Sequence, residues 1–314
     1  MNRFLAALTA ALLLTPSLAP AQEAGTEFDL RDFEAGEPVL AYNLAVVPLH
    51  TRKGPPYDDY TVLEEAQNAR KVDVREVGDG NVPELSVRNR DERPMYLLGG
   101  EVLLGGKQDR MVQSDVVLDA GERRRVPVVC VEQGRWEGQD LSFRPGLAVA
   151  HPDLRRAALF SEQGAVWNEV ARKSQVSGVS SETGTYRRVL QDATLRKRIG
   201  QYLDEIQAKL PRDERMAGLA VAINGELEVV DVFDSPKLYG KLERKLLASY
   251  VLAAIEKQPG RAEQAEQGQA KARSLKKKDI DAFVGTPKEG QKKVFRTKGK
   301  AIHGTFFGST EGKK

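Results

Sequence analysis

The chain has almost no cysteine. Of its 314 residues one is cysteine, Cys130, so no intramolecular disulfide can form. That removes the disulfide-stapled scaffolds common among small exported domains and leaves burial of apolar surface to hold the fold. Cys130 lies in the apolar run Val126-Pro127-Val128-Val129-Cys130-Val131, where a thiol away from water and positive charge stays inert. Histidine is nearly as scarce. His50, His151 and His303 stand far apart, without the paired spacing of a metal site. They read as surface or hydrogen-bonded side chains, and no metal or cofactor is expected. Neither sign of charge prevails, with 48 Lys and Arg against 45 Asp and Glu. So even a balance excludes a global pull toward nucleic acid or anionic membrane and confines any electrostatic function to a local patch. The apolar stretch Phe4 to Leu14, interrupted by Thr9, is far short of the ~20 residues needed to span a bilayer.

That stretch fits a leader instead. Arg3 gives it a positive start, and Ala19-Pro20-Ala21 offers the small residues a signal peptidase reads. Residues 1–21 are therefore expected to be a cleavable secretory signal peptide, cut before Gln22. The mature chain is expected to be soluble, periplasmic or secreted, with no integral membrane segment after processing. No cysteine near the cut offers a lipid anchor.

What remains alternates short strand-like runs with turns, then changes period. Runs at 44–49, 71–77, 84–90, 95–104, 111–118 and 126–132 recur about every ten residues, as in a sandwich or barrel. Thr61-Val62-Leu63-Glu64 resembles a capping box for a helix near 62–69, and Arg123-Arg124-Arg125 reads as a solvated turn. From about His151 helical spacing takes over. Val166, Trp167 and Val170 share one face with Ser161 available as cap, and Leu195, Ile199, Tyr202, Leu203, Ile206 and Leu210 mark a longer helix. Asn224-Gly225 between two apolar runs is a hairpin signal. Asp234-Ser235-Pro236 opens another helix with proline in its first turn. Residues 258–278 are poor in apolar side chains and read as a flexible basic loop, with a last strand pair near 294–296 and 301–307. The expected fold class is α+β: a β-rich, sandwich- or barrel-like unit over 28–145, then a mixed helix and β-hairpin unit over 150–314.

Standard site signatures fail. The nearest approach to a phosphate loop, Glu101 to Gln108, has Glu101 in place of the first glycine and Gln108 in place of the metal-binding hydroxyl. Two polar segments nevertheless interrupt apolar strands. One is Gly99-Gly100-Glu101 through Gly105-Gly106-Lys107-Gln108-Asp109-Arg110, and the other is Glu132-Gln133-Gly134-Arg135-Trp136. Parity puts Glu101 on the face of Leu97 and Leu103, where an unpaired carboxylate is costly and calls for a partner such as Arg110 or Arg135. Two readings stay open. Glu101, Gln108, Arg110, Glu132, Arg135 and Trp136 either form an internal salt-bridge network or line a pocket for an anionic ligand. In the pocket reading the arginines hold the anion and Trp136 stacks on a ring.

The same two segments, together with Ile223-Asn224-Gly225, Asp231-Val232-Phe233-Asp234-Ser235-Pro236 and Leu247-Ala248-Ser249-Tyr250, resemble the ARG and rhodanese-phosphatase-superfamily-associated protein family, ARG standing for ADP-ribosylglycohydrolase. The resemblance covers roughly 38–310, with Asp109 where the family pattern leads one to expect Asn. It implies a role near NAD-derived nucleotides such as ADP-ribose. The expectation is thus an exported binding or accessory protein whose ligand is anionic and nucleotide- or ADP-ribose-like. The alternatives are a hydrolase on a nucleotide-like or glycosidic substrate, with Glu101 and Glu132 as acid and base, and a module that docks an envelope protein. If the leader reading holds, N-terminal sequencing of the protein from its native host should begin at Gln22; an intact Met1 would remove it.

Overall fold

Asn224 and Gly225 both hold positive φ, 54° and 79°, as a type I′ turn requires. They join the antiparallel strands Met216–Ile223 and Glu226–Phe233 into the centre of the larger of two main sheets. The computed structural model describes residues 29–80, 83–136, 141–285, 287, 288 and 290–308. The leader expected at 1–21 lies outside them. The large sheet runs in the order Phe33–Ala35, Leu44–Thr51, Met216–Ile223, Glu226–Phe233, Lys300–Phe307, Lys292–Thr297, with Val39–Ala41 also paired to Leu44–Thr51. Every residue of Leu44–Thr51 and of Met216–Ile223 is buried, because helices cover both faces. Pro236–Glu256 and Ala193–Gln207 pack on the side of Val46, Leu219 and Val221. Ala262–Arg273 and Lys277–Gly285 pack on the side of Ala45, Ala217 and Ala220.

These last two helices replace the loop expected at 258–278. Ala272, Leu275, Ile280 and Val284 are a sparse apolar stripe, yet it suffices because the sheet face beneath is built of alanines that let a helix sit close. The approach is tight at one spot, where a Cβ on Gly268 would lie 3.1 Å from the Asn224 backbone. Two expected caps are also absent. Thr61 belongs to a short strand, and Val62 precedes helix Leu63–Asn68 with no side-chain cap. Glu162 rather than Ser161 precedes Gln163–Val176, again with no side-chain cap. Ser235 does cap its helix, accepting from the Leu238 N–H at 3.3 Å. The Arg123 triplet is strand, not turn, its side chains lying exposed on Arg123–Cys130.

The second sheet is a nearly closed barrel. Its order is Phe143–Val149, Glu101–Gly105, Arg110–Val112, Arg123–Cys130, Glu84–Asn89, Val72–Glu76. The ends meet through the Arg75–Ser142 bridge and the Glu76 N–H to Leu141 carbonyl bond of 2.9 Å. Val72, Val74, Leu85, Val87, Leu103, Val112, Val126 and Val128 fill its interior. A small third sheet, Val116–Leu118, Met95–Leu97 and Thr61–Val62, lies beside it. The fold is α+β. The large sheet takes strands from both sides of the 145–150 region, and one apolar cluster runs from Val39 to Phe307 across it. Among the described residues no helix is long and apolar enough to cross a membrane.

Barrel, sheet and helices meet at a buried chain of charges. Arg155, on helix Pro152–Phe160, donates to both Asp231 oxygens at 2.9 Å. The His303 ring bridges Asp231 (3.0 Å) and Asp115 (2.7 Å) and stacks on Phe233 at 4.2 Å. Tyr250 donates to Asp231, and Tyr96 to Asp115. The Arg155, Asp231, His303 and Asp115 side chains are at most 3% exposed. Burial disfavours the His303 charge, but Asp115 and Asp231 outweigh it and raise its pKa above the ordinary 6.5. With His303 protonated, two carboxylates face two cations. Gly99 and Gly100 make room for it, since a Cβ at Gly100 would meet the Arg155 stem at 2.7 Å and one at Gly99 would meet Asp115 at 3.1 Å.

Removing one member of such a buried set strands the others. Arg155→Met should cost about 3–5 kcal/mol and lower Tm by roughly 10 °C; an unchanged Tm would show that the chain of charges does not hold the layers together. The pKa of His303 is raised on folding, so its contribution is complete below the unfolded value of 6.5 and is lost as pH rises through the folded one. Urea midpoints should accordingly fall on the alkaline side for the native chain, and His303→Gln should flatten that fall.

Candidate functional site

Period two along the barrel strands carries polar side chains inward at one end. Val112 points inside, so Arg110 does too, and the same parity takes Val72 and Val74 to Glu76 and Val128 to Cys130. The apolar barrel core therefore ends in Glu76, Arg110 and Cys130. The Glu76 and Arg110 side chains are 0% exposed, with 3.7 Å between Nη2 of Arg110 and Oε1 of Glu76. Nη1 of Arg110 donates to the Gln108 carbonyl (3.2 Å) and to its Oε1 (3.1 Å), which also accepts from Sγ of Cys130 at 3.2 Å. Nε and Nη2 of Arg110 and Oε2 of Glu76 make no hydrogen bond among the described residues. Burial pushes the Cys130 thiol pKa up, in keeping with an inert thiol. Gly106, at φ 53°, is required here, because a Cβ would fall 2.6 Å from Oε1 of Glu76 and 2.2 Å from the Phe143 ring.

Beside this plug lies a second network, centred on Asp109. Its fully buried carboxylate accepts from the Gly105 N–H (3.1 Å), Thr185 Oγ1 (3.0 Å), Arg187 Nε (2.8 Å) and Arg135 Nη2 (3.4 Å). Arg135 also donates through Nε to Glu132 (2.9 Å) and through Nη1 to the Gly106 carbonyl (2.8 Å). Glu132 accepts further from the Asp109 N–H (3.0 Å) and Thr183 Oγ1 (2.7 Å). Burial opposes its charge, but Arg135, the Asp109 N–H and Thr183 prevail and lower its pKa. Two arginines thus meet two carboxylates. An Asn at 109 would offer one acceptor oxygen and leave one positive charge uncompensated, which is why Asp fits this particular set.

The six residues singled out in the sequence therefore divide. Gln108, Arg110, Glu132, Arg135 and Trp136 gather at the barrel end. Trp136 is 47% exposed, its ring 5.8 Å from the Arg110 guanidinium carbon and 5.4 Å from Nζ of Lys107. Glu101 is elsewhere. Its buried carboxylate pairs with Lys245 at 3.0 Å and accepts from the Leu98 N–H at 3.0 Å, so neither Arg110 nor Arg135 is its partner. Among the described residues Glu101 and Glu132 share no hydrogen-bond or ion-pair partner, and a carboxyl with a lowered pKa at 132 is poorly suited to give up a proton as a general acid. Glu76, Asp109, Thr183, Thr185 and Arg187 belong to the rim as well. Strand parity from Val72 and Val74 points to Glu76, whereas the residues at 183–187 carry no local signal and arrive only through the tertiary fold.

The other two histidines outside the buried chain of charges are paired. His151 lies between Tyr186 (2.9 Å) and Glu169 (2.7 Å), and Arg172 and Lys173 hold Glu256 beside it. His50 pairs with Asp213 at 3.1 Å. Among the described residues no group of three or more His, Cys, Asp or Glu is placed to hold a metal ion. A family model described as the ARG and Rhodanese-Phosphatase-superfamily-associated Protein domain matches residues 32–308, which takes in the rim and both sheets. No curated protein and no solved structure matches the chain.

Asp109 ties the 183–187 segment to the barrel. Asp109→Ala leaves Arg135 and Arg187 without their shared acceptor and should cost about 3–5 kcal/mol. Amide hydrogen exchange at 183–187 should quicken more than in the large sheet; uniform exchange in both would mean that Asp109 does not hold the segment.

Proposed function

The chain belongs to the ARG and rhodanese-phosphatase-superfamily-associated protein family, and from that premise we propose that it is an exported binding protein that takes a phosphorylated sugar, of the kind ADP-ribose carries, at the barrel rim. One observation carries this reading: the bidentate edge of a fully buried arginine is unfilled. Nε and Nη2 of Arg110 lie on the same edge of the guanidinium and make no hydrogen bond among the described residues, Oε1 of Glu76 standing off at 3.7 Å from Nη2. That edge matches two oxygens of a phosphate or carboxylate. Oε2 of Glu76 next to it is an acceptor without a donor, which suits a hydroxyl. A group offering both an anionic oxygen pair and a hydroxyl satisfies both residues, and a sugar phosphate is such a group. Trp136 is the exposed side chain over Arg110; it swings to admit the ligand and then stacks on a ring. Asp109, Glu132, Arg135 and Arg187 hold the rim rigid and take no direct part, since their charges are spent on one another.

The proposal is tested by thermal shift with ADP-ribose, ribose 5-phosphate, ribose and inorganic phosphate. A ligand at about 100 times its Kd should stabilise the protein by roughly 2.7 kcal/mol, a shift of several degrees. ADP-ribose and ribose 5-phosphate should give it, ribose should not, and Arg110→Lys should abolish it. Trp136→Ala, at an exposed position, should leave the unliganded Tm in place and reduce the ADP-ribose shift. No shift with either sugar phosphate would overturn the reading.

A further inference from the structure

A cleft of about 1150 Å³ shares no lining residue with the rim. It lies between the segment 52–57, the connection from helix Ala193–Gln207 into strand Met216–Ile223, and the first turns of helix Pro236–Glu256. Tyr57, Leu210 and Met216 give it an apolar wall. Five cations line it, and three of them are already spent. Arg52 pairs with Glu34 at 3.1 Å, Lys53 with Asp234 at 3.2 Å, and Arg215 with Asp213 at 3.3 Å. Arg212 and Lys237 are exposed and form no salt bridge among the described residues.

The lining carries three acids, Asp213, Glu214 and Glu243, against its five cations. Asp213 is taken by His50 and Arg215. Glu243 is half-buried, and this burial raises its pKa against the pull of Tyr239 and Arg212. Glu214 is the exposed carboxylate of the three. Positive charge thus stands at the mouth of a cavity whose wall is apolar, a combination suited to a molecule with one acidic end and one greasy one.

We infer that this cleft binds an organic acid, its carboxylate or phosphate held by Arg212 and Lys237 and its apolar body laid along Tyr57, Leu210 and Met216. The site is separate from Arg110 and does not rest on the sugar-phosphate reading. Cation and wall act together, so neither a bare anion nor an uncharged chain should bind well.

Calorimetric titration of the full chain with decanoate, decanol and inorganic phosphate, all below micellar concentration, tests this. Decanoate should bind one to one. Decanol and phosphate should bind at least tenfold more weakly. Arg212→Ala combined with Lys237→Ala, both at exposed positions, should weaken decanoate at least tenfold without changing the circular dichroism spectrum, and Tyr57→Ala should weaken it as well. Trp136→Ala should leave decanoate binding untouched, which separates this site from the rim. Absence of decanoate binding, equal binding of decanol, or indifference to the double substitution would each overturn the inference.

Discussion

A buried chain of paired charges decides how the layers of this protein meet. Arg155, Asp231, His303 and Asp115 come from a helix, two strands of the large sheet and a loop beside the barrel. Each would be costly alone in so apolar a setting; together they satisfy one another only in this arrangement. Hydrophobic contact alone tolerates sliding and repacking, whereas a bidentate arginine and a doubly bonded imidazole fix distance and direction. The Gly99-Gly100 pair follows from that constraint, because any side chain at Gly100 would displace Arg155. Lys245 repeats the device nearby, joining helix Pro236–Glu256 to Glu101 of the barrel and Glu64 of a short helix.

Much of this was legible where one periodicity dominates. The hairpin at Asn224-Gly225, the helix beginning at Ser235-Pro236 and the barrel strands follow from turn chemistry and alternation. The helices at 262–285 were not, since their apolar stripe is thin and its sufficiency depends on alanines 40 or more residues earlier in the chain. The caps at Thr61 and Ser161 failed because residue type permits a cap but tertiary contacts choose where the helix starts.

The polar segments show the same division. Their position at the end of apolar strands announced an inward charge, and five of the six residues do meet there. Glu101 parted from them because its partner, Lys245, lies 144 residues away and nothing local distinguishes it from Arg110 as a candidate. Conversely, the reading of the rim as a salt-bridge network and its reading as a pocket divide the same cluster. Asp109, Glu132, Arg135 and Arg187 are the network, and the pocket reading rests on Arg110 and Glu76 beside it.

The large sheet also sets an order of events. Its strand Leu44–Thr51 is made early, but its neighbour Met216–Ile223 follows some 165 residues later, and the outer strands Lys292–Thr297 and Lys300–Phe307 come near the end. The barrel, contiguous from Val72 to Val149, can close as soon as it is complete. During synthesis, then, a finished barrel trails an eight-residue apolar strand with an unpaired edge. Such non-local pairing slows folding and prolongs exposure to aggregation, so the half-made chain depends on being shielded until its last strands arrive.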